Sequence, residues 1–169
     1  ILEPSAGTGN FVRACQVVWP EAEINAVEPR PEAWALLPTG QGIRGTHAGT
    51  LETAPGGPLG AADLVLGNPP YLLANEHAAL LLDAMKPGAV LAFLLRVNWL
   101  AAAERVPLFA RHPLLALWPV VPRPRVSRNE ASSPTAIEVI RPAASTSSGY
   151  CGPIASIAAP TNSPIEGSW

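Results

Sequence analysis

The sequence contains few of the residues that bind metals or form disulfides. Its two cysteines, Cys15 and Cys151, are far apart, and its three histidines, His47, His77 and His112, are scattered along the chain. This spacing matches neither a zinc site nor a disulfide framework. The sequence therefore predicts no metal centre.

Long apolar runs are also absent. No stretch reaches the roughly 20 apolar residues of a transmembrane helix, and no charged start precedes an apolar core like that of a signal peptide. We therefore expect a soluble protein, with the cytoplasm as its default location and no membrane partner. With 169 residues, of which 48% are hydrophobic and 14% charged, the chain can form one domain with a sizeable core.

One short stretch, DLVLGNPPY at 63–71, is the part of the sequence where we expect the chemistry. The apolar run 64–66 predicts a short buried strand, which Gly67 ends. Two prolines in the loop that follows fix φ at about −65° and remove two backbone donors, so this loop is rigid and rich in acceptors. The four residues of this loop are Asn68, Pro69, Pro70 and Tyr71.

Such a loop is suited to holding a planar amine. The amide oxygen of Asn68 and a backbone carbonyl near Pro69 could accept both hydrogens of an exocyclic NH2 group, while the ring of Tyr71 offers a face for stacking. Accepting both hydrogens localises the nitrogen lone pair and makes the nitrogen a better nucleophile. The alternative is a proline-rich turn without a chemical role.

The start of the chain, ILEPSAGTGNF, is typical of a strand end, a glycine-containing turn and a helix capped by Asn10. A G-x-G turn serves nucleotides, other cofactors and plain structure alike. This one differs from the dinucleotide fingerprint, because Glu3 precedes the glycines and no third glycine lies three residues beyond Gly9. An acid at this place suits an amine-bearing ligand better than a pyrophosphate.

A second acid, Glu28, follows the strand-like segment 23–27. In a doubly wound sheet, an acid at the end of the second strand accepts hydrogen bonds from ribose hydroxyls. Glu28 follows Gly9 by 19 residues, as that arrangement requires. The alternative is a solvated surface glutamate.

Together, EPSAGTG, AVEP and NPPY in this order resemble the S-adenosylmethionine-dependent methyltransferases of the Rossmann-like class. The NPPY form resembles the amino-methyltransferases, including phage and prophage N6-adenine DNA methyltransferases. The resemblance covers about residues 1–142 and implies an α/β methyltransferase domain: a mostly parallel twisted sheet, helices on both faces and an antiparallel last strand. Residues 143–169 are expected to form a disordered, low-complexity tail.

Carried over position by position, the resemblance implies two sets of site residues. The target amine would be held by the predicted catalytic residues Asn68, Pro69, Pro70 and Tyr71. Of the cofactor residues, the first motif would line the methionine part and Glu28 would hold the ribose. The predicted residues for S-adenosylmethionine are Glu3, Pro4, Ser5, Ala6, Gly7, Gly9, Asn10, Phe11, Glu28 and Asn68.

The implied reaction is methyl transfer to an exocyclic amino nitrogen, with N6 of adenine in DNA as the first choice. An amino group in RNA and a protein glutamine stay open as targets, and so does an inactive remnant or a cofactor-binding interaction module. Two departures from the family pattern are the reason for keeping the inactive remnant or interaction module as an alternative. No acid occurs at 47–50, where much of the family contacts the cofactor's adenine, and the chain begins inside the first strand, like a fragment of a longer protein.

Charge is unevenly distributed along the chain. Residues 1–95 carry nine acids and four bases, a balance of −5, whereas residues 96–169 carry seven arginines and four acids, a balance of +3. Arg123, Arg125 and Arg128 lie within six residues of one another, and such a loop can contact phosphates of DNA. The alternative is a solvated loop, and the oligomeric state is not predicted.

Further elements are predicted after these motifs. Strands are expected at 43–47, 89–95, 114–121 and 136–140, with loop at 48–62, a helix capped by Asn75 and a helical segment at 98–112 that Pro107 interrupts. Trp99 and Trp118 are expected to pack in the core, because large aromatic side chains are usually buried.

Overall fold

The computed structural model describes residues 1–40, 42–50, 58–120 and 135–140, and over these ranges strands alternate with helices. The strands are β1 (Leu2–Glu3), β2 (Ile24–Glu28), β3 (Ile43–Ala48), β4 (Leu64–Gly67), β5 (Val90–Arg96), β6 (Leu114–Pro119) and β7 (Thr135–Ile140). The α-helices are α1 (Asn10–Val18), α2 (Pro31–Trp34), α3 (Pro58–Ala61), α4 (Ala74–Ala84) and α5 (Val106–Arg111), and two 3₁₀ segments span Val97–Ala101 and Ala103–Arg105.

The described strands form one seven-stranded sheet in the order β3-β2-β1-β4-β5-β7-β6. Neighbouring strands from β3 to β5 are parallel, whereas β7 runs antiparallel to both β5 and β6. This confirms the predicted α/β fold with an antiparallel last strand. The strand order reverses between β1 and β4, and a reversal of this kind opens a crevice at the carboxyl ends of the strands.

Helices pack on both faces of the sheet through two hydrophobic clusters. Successive side chains of a strand point to opposite faces, so neighbouring Val65 and Leu66 on β4 pack against different clusters. The larger cluster includes α4 and the buried Trp99, and the smaller one includes α1. Trp99 is thus in the core, as predicted, but Trp118 is exposed on β6 at the edge of the sheet, where the predicted burial is wrong.

Helix starts differ from the sequence prediction in their details. The cap of α1 is Gly9, not Asn10, and Gly9 has a left-handed φ of 88°. A Cβ atom there would lie 2.5 Å from Cδ of Pro38, so both the conformation and the space require glycine.

Asn75 likewise is not a cap, because it is the second residue of α4. Pro107 does not interrupt a helix: it is the second residue of α5, where its missing N–H would have no partner in the helix anyway.

Two predictions lie outside the described residues: the arginine loop at Arg123, Arg125 and Arg128, and the tail at 143–169 with its boundary after 142. Within the described residues, no helix combines the length and apolar character needed to cross a bilayer. The same residues contain no group of three or more histidine, cysteine or acidic side chains that could hold a metal ion.

Candidate active site

A cleft of about 730 Å³ lies at the carboxyl ends of β1, β2 and β4, where the strand order reverses. This volume falls within the roughly 300–1,000 Å³ of small-molecule sites. Its walls come from the turn after β1, the end of β2, the loop after β3, the loop after β4 and helix α4. The lining residues are Pro4, Ser5, Ala6, Gly7, Thr8, Asn10, Phe11, Glu28, Pro29, Arg30, Thr50, Asn68, Pro69, Pro70, Tyr71, Leu73 and His77.

Most of the residues predicted from the sequence thus meet in one cleft, although they come from three separate parts of the chain. All four residues of the predicted amine site line it, as does Glu28. Two predicted cofactor residues, Glu3 and Gly9, do not line it. Gly9 acts instead as the cap of α1, and Glu3 lies in the layer beneath.

Glu3 is a buried carboxyl at the end of β1. Its Oε1 accepts a hydrogen bond of 3.1 Å from the Ser5 backbone N–H, and its Oε2 is buried with no donor among the described residues. Burial raises the pKa of Glu3 to about 8, against the smaller lowering effect of the Ser5 hydrogen bond. A carboxyl with this pKa is largely protonated at neutral pH, so Glu3 is mainly uncharged there.

Gly67 at the end of β4 makes room for this carboxyl. A Cβ atom on Gly67 would lie 2.3 Å from Oε1 of Glu3, closer than any side chain permits. Asn68 follows Gly67 directly, so the Glu3 carboxyl lies against the residue that precedes the loop of the predicted amine site.

Glu28, at the end of β2, is surrounded by donors. Its Oε2 accepts from the Gly7 backbone N–H at 2.7 Å and from Nη2 of Arg30 at 3.3 Å, and its Oε1 accepts from the backbone N–H and Nε of Arg30 at 3.0 and 2.7 Å. Burial on its own would raise the pKa of Glu28, but the hydrogen bonds from Arg30 and Gly7 outweigh it and lower the pKa. Glu28 is therefore a charged, fixed carboxylate that joins the turn after β1 to the end of β2.

Asn68 differs from Glu28 in its surroundings. It follows β4 directly, and its Oδ1 is buried with no hydrogen-bond donor among the described residues. A buried acceptor without a donor costs about 1–3 kcal/mol. Asn68 thus lines the cleft and carries an acceptor that no donor among the described residues satisfies.

Tyr71 lines the cleft and is partly buried. The guanidinium of Arg96, at the end of β5, lies over its ring with Cζ 4.7 Å from the ring centroid. This is a cation–π contact and it covers one face of the ring. The stacking surface predicted for Tyr71 is thus limited to its other face.

Several residues of the site were missed from the sequence. Leu73, which precedes α4, and His77 on α4 line the wall of the cleft, but nothing in their spacing after the NPPY loop indicates that they face it. Thr50 lines the cleft from the stretch in which an acid was sought. Arg30 could have been found, because an arginine two residues after Glu28 can reach back to its carboxylate.

Solved structures share this architecture. A proposed class I S-adenosylmethionine-dependent methyltransferase from Listeria monocytogenes superposes with a TM-score of 0.61 and 14% identity, over 89% of this chain and 55% of that chain. A proposed methyltransferase from Thermoplasma acidophilum gives 0.60 and 16%, over 84% and 67%. The chain has the Rossmann-like methyltransferase fold. A 16S rRNA (adenine(1408)-N(1))-methyltransferase from Catenulisporales acidiphilia also has this fold, with a TM-score of 0.54 and 15% identity over 85% of this chain and 87% of that chain.

These likenesses establish the methyltransferase fold but not the reaction. The chain spans little more than half the length of the Listeria protein and about two thirds of the Thermoplasma protein. No protein-family model matches the sequence, and no curated protein matches it in sequence.

Proposed function

We propose that this chain is an S-adenosylmethionine-dependent methyltransferase that acts on an exocyclic amino group, with N6 of adenine in DNA as the preferred target. S-adenosylmethionine supplies a methyl group made electrophilic by its sulfonium. The observation that carries the proposal is Asn68: its amide oxygen is buried without a donor among the described residues, and the residue lines a cofactor-sized cleft next to two prolines and a tyrosine.

The residues of the cleft fit the cofactor. The turn from Pro4 to Phe11 brings its backbone to the cleft wall, and Glu28 provides an ionised carboxylate at the place where ribose hydroxyls bind in sheets of this order. Gly7 and Glu28 are joined by a hydrogen bond of 2.7 Å, so the two parts of the site are positioned together. We assign the turn to the methionine part of the cofactor and Glu28 to its ribose.

The residues after β4 fit the target. Oδ1 of Asn68 would accept one hydrogen of the NH2 group, and a carbonyl near Pro69 would accept the other. The attacking lone pair is then localised on nitrogen, which is the main contribution of this loop to the reaction. The face of Tyr71 opposite Arg96 would hold the ring that carries the amine. In a duplex this requires the base to leave the stack, which costs a few kcal/mol.

RNA is the second candidate target, and a specific observation favours it. Proteins of the same fold include the rRNA methyltransferase from Catenulisporales acidiphilia and an rRNA methylase from Streptococcus thermophilus. The NPPY loop favours an exocyclic amine in either polymer, and it is the sequence resemblance that places DNA first.

The test is methyl transfer from cofactor labelled on its methyl group. Purified protein is incubated with unmethylated DNA and, separately, with unmodified ribosomal RNA. Each polymer is digested, and labelled nucleosides are identified by mass spectrometry. We expect N6-methyladenine in the DNA sample.

Label found only in RNA would mean that the substrate polymer is RNA and not DNA, while the proposed methyl transfer would stand. Label on a ring nitrogen, or on carbon, would contradict the role given to Asn68, since neither atom carries the two hydrogens that the loop accepts. No transfer to either polymer, together with no binding of S-adenosylhomocysteine, would overturn the proposal.

A further inference from the structure

The four hydrogen bonds of Glu28 fill its whole acceptor capacity. A carboxylate offers about four lone-pair sites. Two are taken by backbone donors, the N–H groups of Gly7 and Arg30, and two by the side chain of Arg30. Any further donor to Glu28 must therefore replace one of the four.

The four donors differ in how easily they can leave. The backbone donors belong to the turn after β1 and to the start of α2, so they are fixed by the fold. The Arg30 side chain is 62% exposed, while that of Glu28 is 3% exposed. A mobile, hydrated guanidinium can return to water at little cost, but the Glu28 carboxylate cannot turn outward to follow it.

The guanidinium of Arg30 donates to Glu28 through two neighbouring nitrogens, here called the fork. This pair of donors matches the pair that the expected ligand offers. Nε reaches Oε1 at 2.7 Å and Nη2 reaches Oε2 at 3.3 Å, so two adjacent donors address the two oxygens of one carboxylate. The two neighbouring hydroxyls of a ribose can likewise donate one hydrogen bond to each oxygen of a carboxylate. If they replaced the fork, each oxygen would again accept two hydrogen bonds, one from the backbone and one from the ligand.

We propose that the side chain of Arg30 is an intramolecular competitor of the cofactor ribose, holding the two acceptor positions of Glu28 that the ribose diol must take. This inference rests on the proposed function, because it assigns the ribose to Glu28. Arg30 thereby sets the affinity for the cofactor: binding exchanges a charged fork for a neutral diol. The displaced guanidinium stays at the rim of the cleft, which it lines.

The test compares binding of S-adenosylhomocysteine to the full 169-residue chain and to variants by calorimetry. Arg30→Met keeps the apolar stem and removes the fork, so it should bind up to about fivefold more tightly than the unchanged protein, the range expected for loss of one partly exposed ion pair. Arg30→Lys keeps the charge without the fork and should lie between the two. The control is Arg44→Met, because Arg44 forms an ion pair with Glu23 and neither residue lines the cleft.

These titrations are best made at pH 7. Burial is the largest influence on the pKa of Glu28 and raises it, whereas the Arg30 side chain and two backbone donors lower it, so removal of the Arg30 side chain shifts the pKa of Glu28 upward. The other titratable groups nearby are Glu3 below the cleft, whose pKa is about 8, and Glu32 on α2. At pH 7 Glu3 is mainly protonated, so its titration does not enter the comparison.

A second ligand separates competition from a general change in the cleft. The 2′,3′-dideoxy analogue of S-adenosylhomocysteine lacks the diol and cannot replace the fork. Its affinity should be the same for Arg30→Met as for the unchanged protein. A gain with both ligands, or no gain with S-adenosylhomocysteine, overturns the inference while the proposed function stands.

If none of the proteins binds S-adenosylhomocysteine, the proposed function itself fails, and the inference fails with it. A measurement on the unchanged sequence guards against a variant that does not fold. In protein with ¹⁵N-labelled arginine, the Nε–H of Arg30 should exchange slowly with water before ligand is added and faster once S-adenosylhomocysteine is bound. Unchanged exchange on binding would contradict displacement.

Discussion

The two halves of the cleft differ in how their polar groups are paired. In the cofactor half, formed by residues 4–11 and Glu28, the carboxylate accepts four hydrogen bonds from the protein itself. In the amine half, formed by Asn68 to Tyr71, the amide oxygen of Asn68 is buried with no donor among the described residues. The first half is held in shape by its own contacts, whereas the second contains an acceptor that no donor among the described residues satisfies.

This difference assigns different tasks to the halves. A paired carboxylate gives affinity only by exchanging partners, as proposed above for Glu28 and Arg30. An unpaired acceptor gains its full hydrogen-bond energy from the ligand. The amine half is therefore where substitution should affect the reaction most.

The largest expected effect follows from Asn68→Ala. Loss of the acceptor should lower the rate of methyl transfer by at least about 100-fold, the range for removing one preorganised polar group at a reacting centre. Binding of S-adenosylhomocysteine should change little. Single-turnover assays with labelled cofactor measure the first quantity and calorimetry the second.

Asn75→Ala is the matched control for this experiment. Oδ1 of Asn75 is also buried without a donor among the described residues, but Asn75 lies on α4 and does not line the cleft. It should keep its activity. If Asn68→Ala also stayed active, the amine half would have no special role and the contrast between the halves would be lost.

The next effect concerns Gly67, which directly precedes Asn68 and lies against the Glu3 carboxyl beneath the cleft. In Gly67→Ala the new methyl group would meet the Glu3 carboxyl at 2.3 Å, so one of them must move. We expect the free energy of unfolding to fall by about 1–3 kcal/mol, as for other overpacked cores. Urea denaturation measures it.

Gly60→Ala provides the comparison, because a Cβ atom there would lie 3.7 Å from the nearest atom, the carbonyl oxygen of Ala84. This variant should be as stable as the unchanged protein, or slightly more stable. Equal stability of Gly67→Ala would mean that the Glu3 carboxyl shifts freely, and it would then not fix the end of β1 against the end of β4.

Tyr71 tests the amine half from the side of stacking. Tyr71→Ala should lower kcat/KM for the nucleic acid about 5- to 100-fold, since stacking on an aromatic ring contributes about 1–3 kcal/mol per base. Tyr71→Phe keeps the ring and its contact with Arg96, and we expect it to retain most of the activity. An equal loss in both variants would assign the effect to the hydroxyl and not to the ring.

Much of the fold could be predicted from the sequence, because its strands are marked by local patterns. The near-continuous apolar run at 89–95 gave β5, and the alternation before Glu28 gave β2. Gly9 was identified as part of a turn, but its role as the cap of α1 depends on the approach of Pro38, which is distant in sequence.

The candidate site was predictable where it depends on strand ends and not where it depends on packing. Glu28 and Asn68 each follow a strand, and parallel strands bring their carboxyl ends to one edge. The contact of Arg96 with Tyr71 joins β5 to the NPPY loop through space, and no spacing in the sequence indicates it. For the same reason the depth of Glu3, beneath the cleft and against Gly67, emerged only from the structure.

The final test concerns stability and pH, and it compares two carboxyls: Glu28 in the cofactor half, whose pKa is lowered, and Glu3 beneath the cleft, whose pKa is raised. Burial raises the pKa of Glu3 from 4.5 to about 8. The folded protein thus keeps a proton that the unfolded chain releases, so stability should fall as pH rises from about 4.5 to about 8, by at most about 1.4 kcal/mol per pH unit. Glu3→Gln cannot titrate and should show a flatter profile in urea denaturation between pH 5 and 9, whereas Glu21→Gln, at an exposed position, should keep the original slope. Equal slopes for Glu3→Gln and the unchanged protein would mean that Glu3 is ionised when folded, and Glu3 and Glu28 would then both be charged.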